Sequence, residues 1–231
     1  MTPAQETLFR QKGYLFLKGA IPKNQLTPVK ERVLDKLKRL KIWSSGKTLS
    51  PSIKKIPPFQ QITKLSGSIK EDDLCSKVNK QLVAAITSLS EKDLVPSPSQ
   101  LLISLPNQGD WTINGLNWHT DISSSARRHL PGIQVFVLID DVQPHGGATL
   151  ALAGSHLLSD RETSRRELRE ILRESSDLDR DLGSMNLSIV EMSGQAGDVY
   201  LMDMRALHTP SLNSTKRLRI MATVRYLPAV Q

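Results

Sequence analysis

The chain has a single cysteine, Cys75, in 231 residues. One thiol cannot close an internal disulfide, so the fold must rest on a packed core, and nothing here asks for an oxidising compartment. No apolar run approaches the ~18 residues that a membrane-crossing helix needs. The opening Met1-Thr-Pro-Ala-Gln-Glu lacks the basic region and apolar stretch of a secretory leader, and the last three residues carry no targeting address. A cytoplasmic location is therefore expected. Aromatic residues are scarce, at 4%, and do not interleave with the lysines. A single-strand nucleic-acid groove needs stacking platforms between its cations, so nucleic acid is a poor explanation for the net charge of +8. A solvated surface is the plainer explanation, and an anionic small substrate is the other one.

What is present suffices for a core, since 39% of residues are hydrophobic. Gly13 separates a short helix from the apolar run Tyr14-Leu15-Phe16-Leu17. Leu26, Val29, Val33, Leu34, Leu37 and Leu40 recur at helical spacing over 24–41, as do Leu74, Val78, Leu82, Ala85 and Ile86 over 71–90. The Ser/Lys/Gly/Pro-rich stretch 44–58 reads as loop. From residue 100 the texture becomes short β-type runs divided by turns: 101–105, 112–122, 132–142, 149–153, 187–192, 198–202 and 218–227. Such a series predicts an all-β sandwich or jelly roll with flanking helices, not a βαβ array. One densely charged segment, 160–173, interrupts it, either as a solvated helix or as a lid. The expected organisation is one domain over 1–231, with a helix-rich support at 1–99 and a jelly-roll core at 100–231 holding an insert at about 159–182.

The chemistry centres on Asn117-Trp118-His119-Thr120-Asp121. In an extended segment His119 and Asp121 project to the same face. They form two-thirds of a 2-His-1-carboxylate triad for non-haem Fe(II), with His208 the candidate third ligand. H-x-D alone is a weak signal. Its weight comes from the second histidine, which follows a further strand-type run. Pairing of 198–208 with 217–227 is expected to bring their ends together. Arg219, set between Leu218 and Ile220, is costly to bury alone and calls for a carboxylate that its fork can grip. His129 and His145 read as surface residues, Asp140 and Asp141 as turn formers. Arg127 and Arg128 are either solvated or placed to meet an anionic substrate group.

Taken together, these stretches resemble the phytanoyl-CoA dioxygenase-like family of Fe(II)/2-oxoglutarate-dependent oxygenases. The resemblance runs from Gly13-Tyr-Leu-Phe-Leu through Trp118-His119-Thr-Asp121 and Gly146-Gly147-Ala-Thr149 to Gly154-Ser155-His156. It ends with Gly197-Asp198, His208, Asn213, Arg219 and Arg225-Tyr226. It implies a double-stranded β-helix of cupin type. It also implies His119, Asp121 and His208 as ligands of Fe(II), and Arg219 as partner of the distal carboxylate of 2-oxoglutarate. Gln134 would donate a hydrogen bond to the cosubstrate and Phe136 would give it an apolar wall. The family often has a hydroxyl two residues after the distal histidine. Pro210 stands there, so Thr209 or Ser211 would have to take its place. His156 would be a structural turn residue. The implied reaction consumes O2, releases succinate and CO2, and most often hydroxylates a small molecule. Asp121 argues against halogenation, which needs that ligand position vacant. Two other readings stay open at this point: a nucleic-acid oxidative demethylase, suggested by the charge, and a jelly roll that binds small molecules without catalysis.

Overall fold

The computed structural model describes residues 1–69, 72–90, 92–122, 130–158 and 162–229; Arg127, Arg128 and His129 lie outside them. Helix α1 (Pro3–Lys12) starts on a capping box, in which the Thr2 hydroxyl accepts from the Gln5 amide and the Gln5 side chain accepts from the Thr2 amide. It stops at Gly13, which adopts φ +72° and leads straight into β1 (Tyr14–Leu17). Helix α2 (Lys23–Arg39) buries Leu26, Val29, Val33 and Leu37, one stripe at helical spacing.

The 44–58 segment is more ordered than a loop. It holds a tight hairpin of β2 (Trp43–Ser44) and β3 (Lys47–Thr48), then the short helix α3 (Pro51–Lys54), capped by the Ser50 hydroxyl. Helix α4 (Pro58–Ser68) follows, where sequence reading finds no element. Pro57-Pro58 looks like a breaker, yet proline suits the first helical position, where no amide bond is lost. Helix α5 (Asp72–Leu89) completes the support.

The strands come next: β4 (Leu94–Pro96), β5 (Gln100–Ser104), β6 (Ile133–Leu138) and β7 (Thr149–Ala153). After a 3-10 turn at Ser155–Leu157, helices α6 (Glu162–Glu174) and α7 (Leu178–Ser184) intervene. The chain ends with β8 (Ser188–Glu191), β9 (Val199–Asp203), β10 (His208–Pro210) and β11 (Arg219–Pro228). The larger sheet runs β1-β9-β6-β11, with β4 and β5 both on the free side of β11. The smaller runs β10-β7-β8. Every pairing is antiparallel. From β6 onward the chain crosses between the sheets, so this is the expected double-stranded β-helix with helices packed on it.

Two strand expectations are corrected by this topology. Segments 198–208 and 217–227 do not pair, because β6 lies between β9 and β11 while β10 leaves for the other sheet. Residues 112–122 do not form a strand, because left-handed backbone at Gly115 breaks the extended run. Only His119 joins a ladder there, through a single bridge to His208.

Alternation along the large sheet sorts its side chains. Ile133, Val135 and Val137 of β6, Leu101 and Ile103 of β5, and Ile220, Ala222 and Val224 of β11 pack into a core shared with α1, α2 and α5. The opposite face carries Phe136 and Leu138 of β6, Met202 of β9 and Met221 of β11 toward the small sheet. The site lies on this inner face.

Candidate metal and cosubstrate site

His119 and His208 are held together by their backbones. The His119 amide donates to the His208 carbonyl at 3.0 Å, and the His208 amide donates back at 2.9 Å. Their rings lie 4.4 Å apart between centroids. Each Nδ1 sits against a carbonyl two residues earlier, Asn117 O at 2.9 Å and Ala206 O at 3.2 Å. A carbonyl can only accept, so each Nδ1 carries a proton, and in the neutral ring the lone pair is then on Nε2. Both Nε2 atoms face Asp121, at 3.9 Å from Oδ1 for His119 and 3.8 Å from Oδ2 for His208. One ligand atom from each of the three residues lies within 4.8 Å of the others. Burial pushes the His208 imidazole below its usual range, against the pull of Asp121, and this favours the neutral, ligating ring.

A cavity of about 130 Å³ opens beside the triad, between α4 and the inner sheet face. Arg219 lies in its lining and is 2% exposed. Its Nη1 reaches Met221 Sδ at 3.4 Å, while Nε and Nη2 are buried without a partner. The carboxylate it calls for is not supplied by any described residue. Burial lowers its pKa to about 9, so at pH 7 it is still a cation without a counter-charge. Gln134 and Phe136 line the same space from β6. Gln134 spends Nε2 on the Thr223 hydroxyl at 3.1 Å, and its buried Oε1 has no partner.

A family model for phytanoyl-CoA dioxygenase (PhyH) matches residues 9–221. The chain belongs to this family. It is an Fe(II)/2-oxoglutarate-dependent dioxygenase of the phytanoyl-CoA dioxygenase-like class, and the donor set and the unpaired buried guanidinium suit a divalent metal and a dicarboxylate. Among curated proteins, none matches the chain. Solved structures share the fold at low identity. The non-haem α-ketoglutarate-dependent carbocyclase SnoK from nogalamycin biosynthesis is 17% identical over 99% of this chain and 85% of its own, with a TM-score of 0.63. The epimerase SnoN, solved with Fe3+, α-ketoglutarate and nogalamycin RO, is 18% identical over 98% and 83%, TM-score 0.62. EctD from S. alaskensis, solved with 2-oxoglutarate and 5-hydroxyectoine, is 18% identical over 99% and 76%, TM-score 0.58.

This phytanoyl-CoA dioxygenase-like site departs from the sequence expectation at Thr209. That residue is fully buried, and its hydroxyl meets the Pro210 carbonyl at 3.1 Å. Alternation along β10 turns His208 and Pro210 to the cavity and Thr209 away from it. Ser211 is also spent, on the Ala148 carbonyl at 2.8 Å. The hydroxyl that lines the cavity beside Pro210 belongs to Thr149, its cross-strand partner in β7. Sequence reading gave no role to Thr223 or Arg225, although their even spacing from Arg219 along β11 puts all three on one face. Ile62 comes from α4 and left no signal. His145 is exposed and stacks on Trp111 at 4.3 Å. Asp140 pairs with Lys30 at 2.7 Å, and Asp141 accepts from the Ala196 amide at 2.9 Å. His156 is structural: Nε2 donates to the Arg10 carbonyl at 2.9 Å and pins α1.

No residue of α6 or α7 lines the cavity among those described. Leu168, Leu172 and Leu182 instead pack with Leu152 and Leu187 under Trp118, next to His119 in sequence. The insert is a buttress for the His119 loop. No helix is long and apolar enough to cross a membrane among the described residues.

Proposed function

We propose that this enzyme hydroxylates a C–H bond of a small organic molecule in specialised metabolism, working in the cytoplasm as one domain. His119, Asp121 and His208 hold Fe(II), and Arg219 holds the distal carboxylate of 2-oxoglutarate. The observation that carries this reading is the buried Arg219 guanidinium, left without a counter-charge in the cavity that also holds the triad. Bound iron with 2-oxoglutarate and O2 supplies the oxidising power, with succinate and CO2 released. The role in specialised metabolism draws on the neighbours named above.

The chain's own residues bind and orient. The Asn117 and Ala206 carbonyls hold the two imidazoles with Nε2 inward. Thr149, beside Pro210, offers a hydroxyl to the carboxylate that Arg219 grips. Turning the Gln134 amide over would let Thr223 donate to Oε1 and aim Nε2 at the cosubstrate. Phe136, 6.3 Å from the His208 ring, keeps water from that side.

The test is anaerobic titration with Fe(II) and 2-oxoglutarate, read as the weak visible charge-transfer band of the bound chelate. Native protein is expected to give the band, and His119→Ala to lack it. A silent native protein, or a band that survives in His119→Ala, sinks the assignment. A metabolite panel read by substrate-stimulated succinate release then finds the substrate.

A further inference from the structure

The cavity holds two guanidinium groups, both from β11. Arg219, Thr223 and Arg225 are odd-numbered residues of that strand and all face inward. Six residues at about 3.3 Å each set the two arginines roughly 20 Å apart along the strand. Arg219 is sealed in, whereas the Arg225 side chain is 43% exposed, at the mouth. Its Nε and Nη2 both meet Asp121 Oδ2, at 3.1 and 3.0 Å. Nη1 has no partner among the described residues, so one edge of the fork is fixed by Asp121 and the other is open. Its cross-strand neighbour is Gln134, the cavity is also lined by Ile62, Leu102 and Gln100, and the one acidic side chain lining it, among those described, is Asp121 itself. A divalent cation on Asp121 draws on the same carboxylate, so loading the metal leaves Arg225 short of negative charge.

We propose that Arg225 binds an anionic group, carboxylate or phosphate, on the small-molecule substrate. The proposal rests on the oxygenase reading above and deepens it by naming the substrate class. An anion on the open edge lies within about two hydrogen-bond lengths, ~6 Å, of Asp121. The oxidised carbon is therefore a few bonds from that anion. Asp121 pre-orients the fork, which lowers the entropic cost of a bidentate grip. The deep guanidinium takes the cosubstrate and the outer one the substrate, so the two anions do not compete.

The experiment uses native protein loaded anaerobically with Mn(II) and saturating 2-oxoglutarate, which blocks Arg219. Paired probes, hexanoate with hexanamide and hexyl phosphate with hexanol, are titrated by ligand-observed NMR, and Mn(II) affinity is followed by EPR. In native protein the anionic member of at least one pair should bind about tenfold tighter or more; which pair responds separates carboxylate from phosphate. Arg225→Gln should erase that preference. Arg225→Lys, which keeps the charge but not the fork, should keep metal binding and a reduced preference. Equal binding within both pairs by native protein overturns the proposal, as does a preference that survives in Arg225→Gln. Native protein that takes up neither Mn(II) nor 2-oxoglutarate overturns the oxygenase reading instead.

Discussion

Arg219 is a cation that the folded chain does not neutralise. Burying a charge without a partner costs several kcal/mol, so the residue is a local liability until an anion arrives. Arg219→Met is therefore expected to raise the Tm of the ligand-free protein, by about 2–4 °C for each kcal/mol relieved in a chain this long. The same variant should lose the Tm rise that 2-oxoglutarate gives the native protein. Thermal scans with and without cosubstrate read both effects. The pH dependence follows from the shift. The guanidinium is pushed down by burial to about 9 in the fold, far below its ordinary value in the open chain. Between those values the unfolded state binds more protons, so this group's penalty shrinks as pH rises. The stability advantage of Arg219→Met should thus narrow from pH 8 to pH 10.5, measured as the difference between the two proteins. An advantage that widens would contradict the assignment of Arg219 as an uncompensated cation.

Elements reach the site through their junctions. Helix α1 is tied down at its end, where His156 meets Arg10 and the Gly154 amide donates to the Lys12 carbonyl at 2.8 Å. A Cβ on Gly13 would stand 2.4 Å from His156 Nδ1, on a backbone at φ +72°. Gly13→Ala should destabilise by more than the ~1 kcal/mol of left-handed strain alone, read as a lower urea midpoint. The insert makes a second junction. Leu168 is 1% exposed in the cluster beneath Trp118. Leu168→Ala should cost about 2–5 kcal/mol and also weaken Mn(II) binding, because the His119 loop loses its support. Unchanged metal affinity in a destabilised Leu168→Ala would separate the insert from the site. Helix α4 forms a third junction: Ser66 donates to the Leu101 carbonyl of β5 while Ile62 faces the cavity. One wall of the cavity is therefore built by a helix that contributes none of the three triad residues.

Across the whole molecule the charge is lopsided. Residues 1–99 hold 18 lysines and arginines against 8 acidic residues, and residues 100–231 hold 13 against 15. The positive excess sits in the helical support, not in the half that carries the triad. A 20-nucleotide single strand should bind no tighter than a non-specific ~10⁻⁵ M at 150 mM salt, and weaken steeply as salt rises. Fluorescence anisotropy at two salt concentrations decides this. Tight, salt-resistant binding would revive the demethylase reading.

Several features were legible because they are local. Helical spacing marks α2 and α5, short apolar runs mark β5 to β7, β9 and β11, and left-handed glycine marks the end of α1. The H-x-D pair and the isolated strand arginine announce metal and carboxylate chemistry by residue type alone. Only the tertiary structure could decide that His119 meets His208 by one bridge without a strand of its own. Strand order, which inserts β6 between β9 and β11, is likewise non-local. So is the passing of the cavity-facing hydroxyl from Thr209 to Thr149 across a ladder. Spacing dictates which face a side chain takes, but which surfaces meet depends on long-range packing that no window of sequence contains. The chain by itself named the chemical groups; the sheets, by crossing, determined which of them share one cavity.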